Sequence, residues 1–141
     1  MVSIGKVVVL TVSDGEENIF DCIRELLLSK SDYQLMEFDA IPALSFPGLE
    51  IDLYHRQVLI NGNRVELTDL EFRLLLYLAR QPGRVFTYQQ IYEAVWGEEY
   101  SYEKSNIMSH IRHIREKIEA DSKTPRYIEN VRGVGYRFKK Q

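Results

Sequence analysis

The sequence predicts an α+β protein in which a small antiparallel sheet is followed by three helices and a C-terminal β-hairpin. Three observations carry this prediction. Strand-like segments meet at Asn61-Gly62, two Thr-x-x-Glu/Gln capping boxes open helical stretches, and a glycine-containing turn joins two strand-like segments near the C-terminus. This order of elements defines a winged helix-turn-helix, here predicted over residues 46–141.

Residues 1–45 are expected to form a separate strand–helix–strand (βαβ) unit. KVVVLTV is a β-branched run, YQLMEF alternates like a strand, and a helical stripe lies between them, formed by Ile19, Ile23, Leu26 and Leu27. Cys22 falls in this apolar pattern, which predicts a buried structural thiol. Because three elements make a poor independent core, we predict a dimerisation or docking element. A passive packing arm and an artificially joined segment are the alternatives.

The prolines and glycine of IPALSFPG mark a boundary between the two parts. Three short strand candidates follow it, LEIDL, QVLIN and RVELT. Asn61-Gly62 joins the second to the third, and Asn-Gly is the strongest short hairpin signal. These segments therefore predict a small antiparallel sheet.

Capping boxes fix the starts of the first two helices of this part. In Thr68-x-x-Glu71 and Thr87-x-x-Gln90, each Thr hydroxyl can accept from a free N–H at the helix start. The Glu or Gln side chain can return a bond to the N–H of the cap residue. QPGR at 81–84 separates the two helices.

The third helix is predicted over residues 103–120 and is strongly amphipathic. At 100° per residue, its four isoleucines fall within about 60° of one another and predict a buried face. The opposite side carries Ser105, Ser109, Arg112 and Glu116, flanked by Asn106 and His113 on one side and by Met108 and Arg115 on the other. Small residues allow such a helix to enter a groove, and Arg, Asn and His supply hydrogen bonds.

The hairpin is predicted over residues 127–139, with RYIENV and YRFKK as strands and RGVG as the turn. Gly133 and Gly135 are expected to supply positive φ, and Arg132 to stand at the tip.

Charge is distributed unevenly along the chain. Residues 104–141 carry ten Lys/Arg and four Asp/Glu, a net charge of +6, whereas residues 1–45 carry −5, residues 46–103 carry −4 and the whole chain carries −3. The basic excess falls on the third helix and the hairpin. A helix that buries one face and presents polar and basic groups on the other fits the major groove of DNA, and this excess predicts nucleic-acid binding.

The motifs of several enzyme classes are absent from the sequence, which has no G-x-S-x-G, P-loop or HExxH. His110 and His113 stand three apart on the third helix, but no third ligand follows at a sensible spacing, so no metal site is expected. The acidic residues around SDG at 13–15 are weak evidence for magnesium. No apolar run approaches 18 residues, so no membrane span is expected. Together with the single cysteine and the absent catalytic motifs, this predicts a cytoplasmic, non-enzymatic protein without a cofactor.

Residues 47–139 closely resemble the C-terminal effector domain of OmpR/PhoB-type response regulators of two-component systems. The resemblance is carried by LTDLEFRLLLYLARQPGRVFTYQQIYEAVWG, HIRHIREKIE and PRYIENVRGVGYRF, in this order. It implies a four-stranded N-terminal sheet, three helices and a wing. It also implies binding to double-stranded DNA at direct repeats, usually as a dimer, and contact with RNA polymerase.

The resemblance also implies roles for individual residues. Base or near-base positions fall on Asn106, Ser109, His110 and His113; phosphate-side positions fall on Ser105, Arg112 and Arg115. Trp96 matches a tryptophan that contacts the DNA backbone, Arg132 a wing arginine that approaches the minor groove, and Asn130 a nearby polar position. Glu98, Glu99, Tyr100 and Tyr102 match the polymerase-facing loop, although packing of the two tyrosines within the loop is the more ordinary interpretation.

The sequence departs from the family pattern in two places. Ser105 stands where the family commonly has Arg, and Met108 where it has Asp.

Upstream, VVVLTVSDGEENI resembles the first strand and acidic loop of a receiver, with Asp14 and Glu16 as remnants of a metal site. Asp52 lies in the predicted sheet and is not expected to be a phosphoacceptor, so control by Asp phosphorylation is not expected in this chain.

Two other functions remain open at this point. One is a protein–protein adaptor whose acidic N-terminal unit and loop bind a partner, with vestigial DNA binding. The other is a phosphorelay component. The first hypothesis is a sequence-specific transcriptional regulator that can form a homodimer through residues 1–45.

Overall fold

A computed structural model describes residues 17–30 and 43–141. The chain divides into two units, Met1–Ala40 and Ile41–Gln141. This division falls a few residues before the predicted boundary at residues 45 and 46.

In the first unit, helix α1 spans Glu17–Leu28, as the apolar stripe predicts. Within the stripe, Ile23 and Leu27 are partly buried, whereas Ile19 and Leu26 are exposed. Cys22 is also exposed, so the prediction of a buried thiol is wrong. At 100° per residue, Cys22 lies about 100° or more around the helix from the two partly buried positions. The two predicted strands of this unit, together with Asp14 and Glu16, lie outside the described residues.

The second unit begins with a four-stranded antiparallel sheet in the order β1-β2-β3-β4. Its strands are β1 Ala43–Phe46, β2 Leu49–Asp52, β3 Gln57–Ile60 and β4 Asn63–Val65. Strand β1 occupies the segment that the sequence analysis assigned to a boundary, because its flanking prolines do not prevent Ala43–Phe46 from pairing with β2. Asn61 and Gly62 have φ values of 49° and 81°, which confirms the predicted tight turn.

Three helices follow the sheet: α2 Asp69–Ala79, α3 Tyr88–Trp96 and α4 Ser105–Ile118. Both predicted capping boxes are present. Thr68 Oγ1 accepts from the Glu71 N–H at 3.3 Å while Glu71 Oε2 accepts from the Thr68 N–H at 2.9 Å. Thr87 and Gln90 repeat this exchange at 3.1 and 3.0 Å. Gly97 ends α3 in the left-handed conformation.

The wing belongs to a three-stranded sheet in the order β5-β7-β6, formed by β5 Val85–Thr87, β6 Ile128–Val131 and β7 Gly135–Phe138. The two hairpin strands are present as the sequence predicts, whereas β5, a three-residue strand directly before α3, was not predicted. Because β5 pairs with β7, the wing is joined to the start of α3.

The two wing glycines are required for different structural reasons. Gly133 has a φ of 76° and forms the turn as predicted. Gly135 is not at positive φ, so that part of the prediction is wrong. A Cβ atom on Gly135 would lie 1.9 Å from the Phe86 carbonyl oxygen. Close approach of β7 to β5 therefore requires glycine at this position.

Candidate nucleic-acid interface

Helix α4 is fixed in the second unit by its isoleucine face. Ile107, Ile111, Ile114 and Ile118 are at most 2% exposed, as their spacing predicts. This face packs against α2 and α3. Burial of one face leaves the opposite side of α4 toward solvent, and that side carries the predicted reading residues.

The N-terminal half of α4 presents small and polar groups. Ser105, Asn106 and Met108 are exposed, and Ser109 is partly buried. Ser105 Oγ donates a 2.6 Å hydrogen bond to Glu103 Oε1, so its hydroxyl proton is directed within the chain. Small side chains in the first turns allow the helix backbone to lie deep in a groove.

His110 is held in one tautomer and one ring orientation. Its Nδ1 lies 2.7 Å from the Asn106 carbonyl oxygen, which only accepts, so Nδ1 is the nitrogen that donates. The ring meets the Trp96 ring edge-on at a centroid distance of 5.2 Å. Trp96 itself stacks on Tyr92 at 5.1 Å. Nε2 is therefore the nitrogen of His110 left for a ligand.

His113 is partly buried beside charged groups. Its Nδ1 lies 3.8 Å from Glu71 Oε1, and the Arg112 guanidinium approaches its Nε2 at 3.4 Å. Apart from this contact with His113, Arg112 is exposed one turn beyond Met108. Arg112 and His113 thus lie on the exposed side and its flank, as the spacing predicts, whereas His110 lies about 160° around the helix from Arg112, beside Trp96.

Arg115 connects α4 to the wing. One terminal nitrogen of its guanidinium donates to the Ile128 carbonyl oxygen at 2.9 Å and to Asn130 Oδ1 at 2.5 Å. The guanidinium carbon lies 5.7 Å from the centroid of the Tyr136 ring. Burial lowers the pKa of Arg115, although Tyr136 and Glu119 act in the opposite direction. Arg115 and Asn130, both predicted to contact DNA, therefore already contact each other.

The wing tip is open to solvent. Arg132 and Val134 are both exposed, and they flank Gly133 in the turn between β6 and β7. Behind the tip, Glu129 and Arg137 pair across the two strands at 2.6 Å. The Arg137 hydrogen bond lowers the pKa of Glu129. Arg132 is therefore presented beyond a hairpin that is held together at its base.

A second link, which the sequence analysis did not predict, joins α4 to the start of α2. Lys117 Nζ donates to Glu71 Oε2 at 2.6 Å, and Glu71 is only 3% exposed. Burial alone would raise the Glu71 pKa, but hydrogen bonds from Lys117 and the Thr68 N–H, with the Lys117 and His113 charges, give a lowered pKa overall. The sequence indicated only the cap role of Glu71.

A third link lies at the end of α4. The Glu119 carboxylate accepts hydrogen bonds from the N–H groups of Arg126, Tyr127 and Ile128 at 2.6, 2.8 and 3.0 Å. Glu119 thereby fixes the start of β6 relative to the end of α4. No local sequence pattern distinguishes this glutamate from its neighbours, because its partners lie seven to nine residues away.

The loop between α3 and α4 divides into exposed and buried parts. Glu98, Glu99 and Tyr102 are exposed, and Tyr102 is 84% exposed. Tyr100 is 9% exposed and belongs to the core cluster, so its expected place on a partner-facing surface is wrong. Its ring contacts Tyr92 of α3 and Tyr102 of the loop.

The remaining candidate sites do not assemble in the described parts of the chain. Across residues 17–30 and 43–141, no group of three or more His, Cys, Asp or Glu side chains could hold a metal ion. Asp52 lies at the end of β2, and its carboxylate accepts from the His55 backbone N–H and contacts His55 Nδ1. The hydrogen bond from the His55 backbone lowers the Asp52 pKa. Among the described helices, none is long and apolar enough to cross a membrane.

The winged-helix geometry agrees with comparisons with known proteins. The family model "Transcriptional regulatory protein, C terminal" matches residues 62–138, from the β3–β4 turn to the end of β7. The chain belongs to this family of transcriptional regulatory proteins, whose C-terminal domain is the OmpR/PhoB-type winged helix.

Individual relatives place the match in larger proteins. The uncharacterized transcriptional regulatory protein YcbL of Bacillus subtilis is 45% identical over 90 residues, which cover 64% of this chain and 40% of YcbL. The DNA-binding response regulator MtrA of Mycolicibacterium paratuberculosis is 38% identical over 113 residues, which cover 79% of this chain and 50% of MtrA. The chain therefore spans half or less of the length of these curated relatives.

Solved structures show the same fold. The Klebsiella pneumoniae RstA DNA-binding domain, crystallised in complex with the RstA box, has a TM-score of 0.65 at 29% identity and covers 69% of this chain and 96% of its own. The Thermotoga maritima response regulator DrrB, an OmpR/PhoB homologue, also has a TM-score of 0.65, at 30% identity, and covers 92% of this chain and 55% of DrrB.

Proposed function

We propose that this chain is a sequence-specific, double-stranded DNA-binding transcriptional regulator. In this proposal α4 enters the major groove, and the wing lies on the backbone or in the minor groove. The observation that carries the proposal is the pairing of a fully buried isoleucine face on α4 with an exposed polar and basic face beside the Arg132 wing. The RstA domain, which has the same fold, was crystallised with its DNA box.

The exposed side of α4 supplies groups for both kinds of contact. Asn106 and Ser109 carry hydrogen-bonding groups in the first turns, where recognition helices meet base edges. Arg112 is exposed and carries the cation best suited to a phosphate or to guanine. His110 can use only Nε2 outward, since Nδ1 is held by Asn106. We assign Ser105 and Trp96 to the phosphate side.

Arg115 and Asn130 have a different place in this proposal. Their side chains hydrogen-bond to each other, so a contact of either one with DNA must share that bond or replace it. We therefore assign them first to holding the wing against α4, and second to contact with the backbone. Arg132 is exposed at the wing tip and is the wing residue assigned to direct DNA contact.

DNA binding is tested by titrating labelled promoter fragments with the full chain at two salt concentrations. Phosphate contacts release counterions, so affinity should fall steeply as salt rises, by about tenfold or more between 50 and 200 mM for several contacts. Unlabelled random duplex should compete less well than the preferred fragment. Affinity that does not change with salt, or equal competition by random DNA, would contradict the proposal.

Arg132→Ala tests the wing separately. Loss of a backbone or minor-groove cation should weaken binding to all sequences by a similar factor and reduce the salt slope by about one unit. Arg64→Ala removes another exposed arginine, on β4 and away from the wing, and is the control. An equal effect of the two substitutions would indicate that only net charge matters.

We also propose that the loop between α3 and α4 contacts RNA polymerase. The support is the exposed group Glu98, Glu99 and Tyr102. A Glu98→Ala, Glu99→Ala, Tyr102→Ala variant should bind promoter DNA normally and fail to change transcription in a purified system. Polymerase capture without any DNA binding by the unaltered chain would instead favour the adaptor function.

A further proposal is self-association through residues 1–45. It is supported by the exposure of Ile19, Leu26 and Leu28 on α1, which are 54%, 66% and 63% exposed. Neighbouring exposed apolar side chains mark protein–protein contacts, and Ile19 and Leu26 lie within about 20° of each other around α1. Sedimentation of the full chain and of a Leu26→Glu, Leu28→Glu variant tests it. A dimer that is lost in the variant supports the proposal, and identical masses contradict it.

A further inference from the structure

Met108 is out of place for an ordinary helix surface. It is 52% exposed, and it alone among the large apolar side chains of α4, a helix described throughout, is exposed. Among described residues, the core cluster and the apolar side chains packed against it do not include Met108. Burial within this chain therefore does not explain a methionine at this position.

Met108 lies near the N-terminus of α4, on the flank of its exposed side that is opposite Asn106. It is the fourth residue of α4, and the N-terminal residues of a recognition helix are those that meet base edges. Ser105 and Arg112 lie one turn before it and one turn after it, and both are exposed. On this side of α4, Met108 is thus an apolar group between a small polar residue and a cation.

Only one apolar group is displayed on base edges in the major groove, the C5-methyl of thymine. The minor groove displays no equivalent group. A methionine side chain is flexible and polarizable, so it can pack on a methyl group without demanding one exact helix orientation. The Ser105 hydroxyl does not compete for this space, because it directs its proton to Glu103 rather than toward the helix face.

From this geometry we infer that Met108 is a specificity-determining residue that recognises a thymine methyl group in the operator. The inference rests on the proposed DNA-binding function and adds a base preference to it. Because the contact is apolar, it should contribute to sequence preference and not to the salt dependence of binding. Arg112, one turn away, should contribute to salt dependence instead.

The probe is a duplex selected by the full chain from a pool of random DNA, in which each thymine is then replaced singly by deoxyuracil. Deoxyuracil keeps every hydrogen-bonding group of thymine and lacks only the methyl group. Dissociation constants are measured by fluorescence anisotropy for the unaltered chain, Met108→Ala, Met108→Leu and Val134→Ala. Val134 is the matched control, since it is an exposed apolar side chain on the wing.

At one thymine in each half-site, deoxyuracil should weaken binding of the unaltered chain about fourfold, the factor expected for removing one buried methyl group. Met108→Ala should abolish this difference, Met108→Leu should keep part of it, and Val134→Ala should keep all of it. Since Met108 is exposed, both of its variants should retain the circular dichroism spectrum and melting temperature of the unaltered chain.

Two results would overturn the inference while leaving sequence-specific binding intact. In the first, no single thymine methyl affects binding of the unaltered chain. In the second, Met108→Ala shows the same methyl dependence, so another side chain makes the contact. Failure to enrich any sequence from the pool would overturn the proposed function itself, and this inference with it.

Discussion

Lys117 of α4 donates a 2.6 Å hydrogen bond to Glu71, the residue whose carboxylate also caps α2. The two residues are 46 positions apart in the chain. The carboxylate accepts from a backbone N–H with the same oxygen that accepts from Lys117, so one buried group holds the start of α2 and the last turn of α4. The orientation of α4 therefore depends on a residue outside the recognition helix.

The first prediction concerns Glu71→Gln. Glutamine at this position keeps the capping box, as Gln90 shows in α3, but removes the charge that pairs with Lys117. Since Lys117 is partly exposed, the expected loss of unfolding free energy is about 1–2 kcal/mol. Urea denaturation at pH 7 measures it. Lys117→Met should give a similar loss, whereas the double variant should lose less than the sum.

The same pair predicts a dependence of stability on pH. The pKa of Glu71 is lowered in the folded chain from its ordinary value of 4.5. Its contribution to stability is therefore fully present above about pH 4.5 and is lost as the pH falls through the lowered folded pKa. Melting temperatures measured from pH 7 to pH 3 should fall less steeply for Glu71→Gln than for the unaltered chain. Parallel curves would contradict this assignment.

A second prediction concerns the bond between Arg115 and the wing. Arg115→Ala removes hydrogen bonds to Ile128 and Asn130 and the contact with Tyr136, so unfolding free energy should fall by about 2–3 kcal/mol. The wing should also lose its fixed position. In DNA titrations, adding Arg132→Ala to the Arg115→Ala variant should then weaken binding less than Arg132→Ala weakens binding of the unaltered chain.

Arg112→Ala is the control for that experiment, because Arg112 lies on the same helix and is exposed. It should weaken DNA binding with little change in stability. It should also leave the effect of Arg132→Ala unchanged. Additive effects of Arg115→Ala and Arg132→Ala would show that Arg115 does not hold the wing.

A third prediction compares the two wing glycines. Gly135→Ala would place a Cβ atom 1.9 Å from the Phe86 carbonyl oxygen, so β7 could not keep its pairing with β5. The expected loss is about 3 kcal/mol or more. Gly133→Ala meets nothing within 4 Å and is strained only by its φ of 76°, so a loss of about 1 kcal/mol is expected. Thermal denaturation distinguishes the two, and equal losses would contradict the close-approach argument.

A fourth prediction concerns Glu119, which accepts three backbone hydrogen bonds from residues 126–128. Glu119→Ala leaves these N–H groups without their acceptor and should cost about 2–4 kcal/mol. Glu119→Gln keeps one carbonyl oxygen and should cost less. Hydrogen exchange at the three amides measures the effect directly, and unchanged protection in Glu119→Ala would refute it. Glu116→Ala, on the exposed side of α4, is the matched control.

Local patterns predicted most helices and turns of the second unit. Capping boxes at Thr68 and Thr87 and the Asn61-Gly62 turn all depend on residues within four positions of each other, so sequence alone defines them. Strands β1 and β5 were missed for the opposite reason. Each is stabilised by pairing, β1 with β2 and β5 with β7, and neither carries a signal in its own composition.

In the predicted interface too, local patterns predicted some features and contacts between distant residues decided others. The positions of the exposed residues on α4 followed from the spacing of its isoleucines. The mutual contact of Arg115 and Asn130 did not, because 15 residues separate them and the bond exists only when the wing packs on α4. The exposed position of Cys22 also contradicted its prediction, since apolar content does not define which side of an element is covered. The burial of Tyr100 agrees with the packing interpretation and not with the partner-facing role that the resemblance implied.

By itself, the sequence determined the order of the elements in the second unit other than β1 and β5, the buried face of α4 and the basic C-terminal part, because periodicity and charge are properties of neighbouring residues. The tertiary structure alone decided which polar groups hold α4 in place and which remain open to a ligand. Lys117 and Arg115 look alike in a charged helix, but folding directs them to Glu71 and the wing while Arg112 and Met108 stay exposed. That selection comes from contacts between distant segments, which no local pattern encodes.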